Sequence, residues 1–196
     1  MVVVLYFVER PDRIKQKHYQ AWQVINTAQG KGGSGGRIDA LEELNLDRVP
    51  LVGVDAEGAF LRGLRLDRAP RERANFSAAD LRNCHLRSAD LNSATLAGAN
   101  FQGCDLENAN LENSDLSGAD LTGADLAKAR LAGTNLKNAD LHECNLEGIR
   151  WRDIAAIQQT NLLHVKNAPG GFLAWAAIHG AMTVESSPSR DATDVR

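Results

Sequence analysis

In LSGADLTGADLAKARLAGTNLKNADL (residues 116–141) leucine stands at every fifth position, and neither regular element of protein structure repeats every five residues. On an α-helix five residues advance about 500°, or 140° net, which scatters the leucines around the rod. On a strand, side chains alternate, so successive leucines fall on opposite faces. All of them reach one core only if the chain turns by a fixed angle every five residues. A repeat of this kind decides the fold before local propensity is considered.

The register is long. With leucine as the centre of each pentad, fifteen consecutive centres run through Phe76, Leu81, Leu86, Leu91, Leu96, Phe101, Leu106, Leu111, Leu116, Leu121, Leu126, Leu131, Leu136, Leu141 and Leu146. Two residues before each centre stands a small side chain, usually Ala, but Cys84, Cys104, Ser114, Thr134 and Cys144 in five pentads. Asp or Asn prevails between them, and polar residues or Gly follow the centre. Each pentad therefore has one large and one small inward position and three outward ones. The same register runs upstream in weaker form, with Leu46, Leu51, Ala56, Leu61, Leu66 and Arg71 as centres and Leu44, Val49, Val54, Ala59, Leu64 and Ala69 two before them. Val54 and Ala56 exchange large for small within one pentad. Arg71, after Pro70, cannot sit unpaired in an apolar core, so a bulge or loop is expected there. Downstream, Ile149 and Trp151 complete one further pentad.

This A-[DN]-L-x-x pattern strongly resembles the pentapeptide repeat family. The flanks RPDRIKQKHYQAWQVI (10–25), ALEELN (40–45) and VKNAPGGFLAWAAIHGA (165–181) are similar to those of bacterial members without an assigned activity, so the resemblance covers nearly the whole chain. It implies an all-β solenoid core: a right-handed quadrilateral β-helix with one pentapeptide per side and twenty residues per coil. Assigning residues 46–151 to the solenoid, with strict repeats over 74–148, gives twenty-two pentads, or about five and a half coils. At the ~4.8 Å spacing of paired strands that stack is about 26 Å long. Cys84, Cys104 and Cys144, separated by 20 and 40 residues, would stack on one side. Some members of that group carry membrane helices ahead of the basic segment. Here MVVVLYFV (1–8) is far short of the ~20 apolar residues a spanning helix needs and lacks the basic start and cleavage site of a secretory signal.

A solenoid exposes open strand edges, which invite aggregation unless covered. Short α-helices are therefore expected as caps at both ends. Residues 1–29 read as an amphipathic helix, with Pro11 and Asp12 suited to its first turn and Ile14, His18, Ala21, Trp22, Ile25 and Ala28 on one face. Residues 30–45 combine the flexible GKGGSGG (30–36) with a short helix in IDALEEL (38–44). Residues 152–184 read as a helical cap, from DIAAIQ (153–158) and PGGFLAWAAIHG (169–180), and 185–196 as a disordered polar tail. With 43% hydrophobic side chains in 196 residues, the chain can bury a sizeable core. Three cysteines, an odd number in small core positions, point to a reducing compartment and a cytoplasmic location. Cys84 and Cys104 are expected as two packed thiols, although stacking would bring them within disulfide reach.

Chemistry-bearing patterns are sparse. Asp105, Asp115, Asp120, Asp125 and Asp140 form a candidate acidic binding face, but a repeat that turns at every corner already calls for Asp or Asn there. His18, His85, His142, His164 and His179 lack metal-ligand spacing. GKGGSGG lacks the Lys-Ser or Lys-Thr of a phosphate loop. No catalytic, cofactor-binding or metal residue is assigned, and the chain reads as no enzyme, without a cofactor. The favoured function is a protein-interaction or scaffold module acting through its outer faces and caps. The alternative is a DNA-mimicking binder and protector of type II topoisomerase (gyrase), whose fold the resemblance implies. Charge partly agrees: residues 76–150 hold eleven acidic against six basic side chains, a net of −5, whereas residues 1–75 hold ten against twelve, a net of +2. An acidic rod attracts a basic groove rather than nucleic acid itself. Arg10, Arg13, Lys15 and Lys17, beside an apolar helix face with a Trp, are candidate contacts to an anionic membrane surface, which would make the protein peripheral on the inner face. The sequence names neither the protein partner nor the oligomeric state.

Overall fold

The computed structural model describes residues 14–25, 36–51, 53–67 and 73–183. Two helices, α1 (14–25) and α2 (Arg37–Leu46), precede a long array of pentads, and a third, α3 (Phe172–Ile178), interrupts its last turn. Within the array, parallel bridges join residues twenty apart, as in Asp80↔Asn100 and Asn100↔Asp120. Four such ladders run along the stack, one for each pentad of a turn.

The pentad of Leu121 shows why these residues close into this shape. Backbone donors must find partners once buried, and all five here do. Ala119 N–H donates to the Leu116 carbonyl (3.0 Å), Asp120 to Ala99 on the preceding turn (3.0 Å), Leu121 to Asp140 (2.7 Å) and Gly123 to His142 (2.8 Å) on the following one. The fifth, Thr122 N–H, is taken by the side chain of Asp120 at 3.0 Å. The corner is completed when Ala124 N–H donates to the Leu121 carbonyl at 2.8 Å. Gly123 inside that turn has φ 67°, and Asn83, Asn108, Asn113 and Asn138 hold the same left-handed position in other pentads. Gly and Asn tolerate it best, as in a type II turn. Asp or Asn before the centre and Gly or Asn two after it are thus the two halves of one corner.

All fifteen centres from Phe76 to Leu146 are buried to 1% exposure or less. Val54 and Ala56 are both inward, as their exchange of size implies. Leu46 is not: it ends α2 and is 82% exposed, so the expected first pentad belongs to a helix. On a 3.6-residue period Leu41 and Leu44 share the buried face, and Leu46, two residues beyond Leu44, points away. The other end also differs. Residues 153–158 are not helical; Ala156, Asn161 and Lys166 bridge to Asn135, Asp140 and Asn145, which continues the ladders past Trp151. The spacing there is 21, because Ala155 and Ala156 N–H both donate to the Thr134 carbonyl (3.0 and 3.4 Å). This is a one-residue bulge, after which Ile157 and Leu162 take over as buried centres.

At the first open edge, α2 supplies the missing partners. Glu42 Oε1 accepts Arg65 N–H at 2.9 Å, and Asn45 Nδ2 donates to the Asp67 carbonyl at 3.4 Å. Leu41 and Leu44 cover the end of the core, with Ala21 and Ile25 of α1 packed into the same cluster. Ile14, expected on that face, is 41% exposed. At the other end α3 presses Phe172 and Ala176 inward, and Met182 then returns to bridge Asn161.

Cys84 and Cys104, expected as packed thiols, form a disulfide. Stacked inward positions bring their Cα atoms to 4.7 Å, within the span a disulfide bridges. The pairing removes the three-thiol premise behind the reducing compartment. Cys144 stays free and buried, its Sγ donating to the Leu121 carbonyl at 2.9 Å. The expectations for Arg71, for residues 30–35 and for the tail 185–196 lie outside the described residues.

Candidate functional site

The five aspartates are distributed over three ladders rather than gathered on one face. Asp105 bridges Asp125, Asp120 bridges Asp140, and Asp115 sits between Thr95 and Asn135 on a third. Each uses Oδ1 to accept the N–H two residues on: Glu107, Ser117, Thr122, Ala127 and His142, at 2.9–3.0 Å. Where the next turn carries Asn, its amide adds a second bond, Asn135 to Asp115 and Asn145 to Asp125 at 2.9 Å, and Asn161 to Asp140 at 3.0 Å. A carboxylate at this position therefore closes a corner first; its other oxygen can take a second partner, as Asp120 Oδ2 accepts Gln102 Nε2 at 2.6 Å.

Of the candidate membrane contacts, Arg10 and Arg13 lie outside the described residues. Lys17 is paired with the end of α2: Nζ is 2.8 Å from Glu43 and 3.4 Å from Asp47. His18 Nε2 joins the same Asp47 at 2.8 Å, and that bond holds the exposed Asp47 carboxyl below its ordinary value. Lys15 is exposed at the start of α1. No helix among the described residues is long and apolar enough to cross a membrane. Nor, among them, do three His, Cys, Asp or Glu side chains gather as a metal site would require.

The outer surface also carries a feature that the pentad pattern does not mark. Next to the bulge, a cleft of about 410 Å³ opens on the outer surface, lined by Glu112, Ala132, Ile149, Arg150, Trp151 and Arg152. Its ladder reads Asp90, Asn110, Arg130, Arg150, changing from acidic to basic along the stack. Arg130 is consumed by Glu112 in a two-pronged pair, Nε to Oε1 at 2.8 Å and Nη2 to Oε2 at 2.6 Å. Trp151, half-buried, is held by Phe172 and Trp175, with ring centroids 5.5 and 5.3 Å away. The available signal was the shift of the leucine frame by one residue after Trp151, together with arginine where Asp or Asn is usual.

Parallel ladders at a twenty-residue step, corners closed by Asp or Asn, and a leucine-filled interior define a pentad solenoid. A family model described as "Pentapeptide repeats" matches in eight copies over residues 74–113 and 114–150. Rfr23, a pentapeptide repeat protein of the cyanobacterium Cyanothece 51142, is 30% identical, with 65% of this chain and 90% of that one covered and a TM-score of 0.41. A pentapeptide repeat protein from the Arabidopsis thaliana thylakoid lumen is 25% identical, over 64% of this chain and 81% of its own, at a TM-score of 0.37. QnrB1, a plasmid-mediated fluoroquinolone resistance protein, is 19% identical in a trypsin-treated form, over 60% and 72%, at 0.39. No curated protein matches this sequence. The chain belongs to the pentapeptide repeat family.

Proposed function

We propose that this chain is a non-enzymatic protein-docking module built on a right-handed, four-sided solenoid. Right-handedness follows the general hand of connections between parallel strands. The observation that carries the docking reading is the accounting in the pentad of Leu121. Its backbone donors and inward side chains are spent on neighbouring turns, leaving outward side chains as its accessible chemistry. Regular surfaces of stacked repeats suit extended contact with another protein. The test is retention of a protein from native-cell extract by the immobilised chain, compared with variants substituted only at outward positions and melting at the parent temperature. Loss of retention in such a variant supports the reading; equal retention by all of them, or no specific retention, overturns it.

The bridged pairs Asp105–Asp125 and Asp120–Asp140 favour a second reading, in which the acidic faces occupy the DNA groove of a type II topoisomerase. A gyrase supercoiling reaction with and without a quinolone decides it. Unchanged supercoiling and unchanged drug sensitivity rule it out.

A further inference from the structure

We infer that the cleft beside Trp151 is a docking site for a short acidic protein segment, one that presents a carboxylate next to an apolar or aromatic side chain. This deepens the docking reading by naming a place and a partner chemistry. Among the described residues, Arg150 and Arg152 have no side-chain hydrogen bond or ion pair, and both are exposed at the rim. The third guanidinium, Arg130, already neutralises Glu112, so the cleft carries two uncommitted positive charges. A guanidinium fork matches a carboxylate in two parallel bonds, which makes arginine suited to this recognition. The same cleft is lined by Trp151, Ile149 and Ala132, which supply its apolar wall. At about 410 Å³ the cleft falls within the range of small-ligand pockets, with room for one apolar side chain. Trp151 is buttressed by Phe172 and Trp175, so little ordering cost falls on that wall when a ligand arrives. Aromatic residues and arginine are also the side chains that dominate interface energetics.

The surroundings select among anions. Residues 76–150 carry a net charge of −5, and Asp140, Glu143 and Glu147 stand on the same turn as Arg150. An extended polyanion such as nucleic acid or a lipid surface would reach beyond the cleft to those carboxylates, whereas a short segment seated in it meets Arg150, Arg152 and a Glu112 already paired with Arg130. The bulge that shifts the ladder from a spacing of 20 to 21 falls beside this cleft. Bulges are concentrated next to sites where side chains must be re-aimed.

The experiment is selection of random displayed heptapeptides on the full chain and on the double variant Arg150→Glu, Arg152→Glu. Melting of the two proteins is compared to establish that both are folded. The expected result is enrichment on the parent of peptides with Asp or Glu next to Leu, Phe or Trp. Their binding should weaken as salt rises and fall at least tenfold on the double variant. Acidic peptides bound equally by both proteins, or no acidic enrichment on the parent, overturn the inference. Enrichment of other peptides unaffected by the double variant leaves general docking standing while this site fails; absence of any enrichment counts against both. Binding of phosphatidylserine vesicles or a DNA duplex that depends on Arg150 and Arg152 would also overturn it. If the double variant does not fold, Arg150→Gln and Arg152→Gln singly take its place, with the same criteria.

Discussion

Replacing Asp115 separates the two things its carboxylate offers, a hydrogen-bond acceptor and a charge. Oδ1 accepts Ser117 N–H at 3.0 Å and Asn135 Nδ2 at 2.9 Å. Asp115→Ala removes both bonds and leaves a corner amide unpaired. Bonds to charged groups contribute about 1.5–3 kcal/mol each when buried and less when part-exposed, so the expected loss is about 2 kcal/mol. For a chain of this size that is roughly 4–8 °C in melting temperature. Asp115→Asn keeps the acceptor and removes the charge. The structure already holds this arrangement, since Asn145 Oδ1 accepts Glu147 N–H at 3.3 Å and Asn167 Nδ2 at 2.9 Å. Its expected cost is therefore below about 1 kcal/mol. Thermal and urea unfolding, followed by circular dichroism, check both variants. Equal losses for Ala and Asn would show that charge is what matters, and no loss from Ala would refute the corner argument altogether.

Two further outcomes follow from titrating groups. Arg82 bonds Asp80 through Nε (2.8 Å) and Nη2 (2.6 Å), and chiefly for that reason the Asp80 carboxyl lies below its ordinary value of 3.8. Its stabilisation should be complete above that ordinary value and lost as pH falls through the lower folded one; Arg82→Ala should move the Asp80 NMR titration upward, and an unmoved titration contradicts this. Burial pushes the Cys144 thiol up to about 12, so the folded chain should not react with iodoacetamide at pH 8. Unfolding without reductant should release one reactive thiol, and unfolding after reduction three; three without reductant would contradict the Cys84–Cys104 bond.

The leucine frame was legible because a five-residue period leaves one way to bury every centre. The corner role of Asp and Asn was legible for the same reason, since each pentad must turn. What misled at Leu46 was a helix whose buried face also carries leucine at short intervals, so a residue in register lay outside the array. What hid the coil after Trp151 was one added residue, which moves the centres to Ile157 and Leu162 and breaks the frame without breaking the ladder. The cleft brings Glu112 and Ala132 beside Arg150 and Trp151, a relation between turns that local patterning does not display. The disulfide was within reach on stacking alone; which oxidation state it adopts is not written in the spacing.

The central claim is that the inward and outward positions of each pentad are fixed by the solenoid, and adjacent substitutions test it most directly. Leu136 is 1% exposed and Lys137, the next residue, faces out. Leu136→Asp places a charge in the core without a partner and should abolish the cooperative unfolding transition. Lys137→Asp changes the net charge by twice as much and should leave the melting temperature within about 2 °C of the parent, a surface effect of roughly 0.5 kcal/mol. Equal melting temperatures for the two variants, or greater damage from Lys137→Asp, would contradict the account.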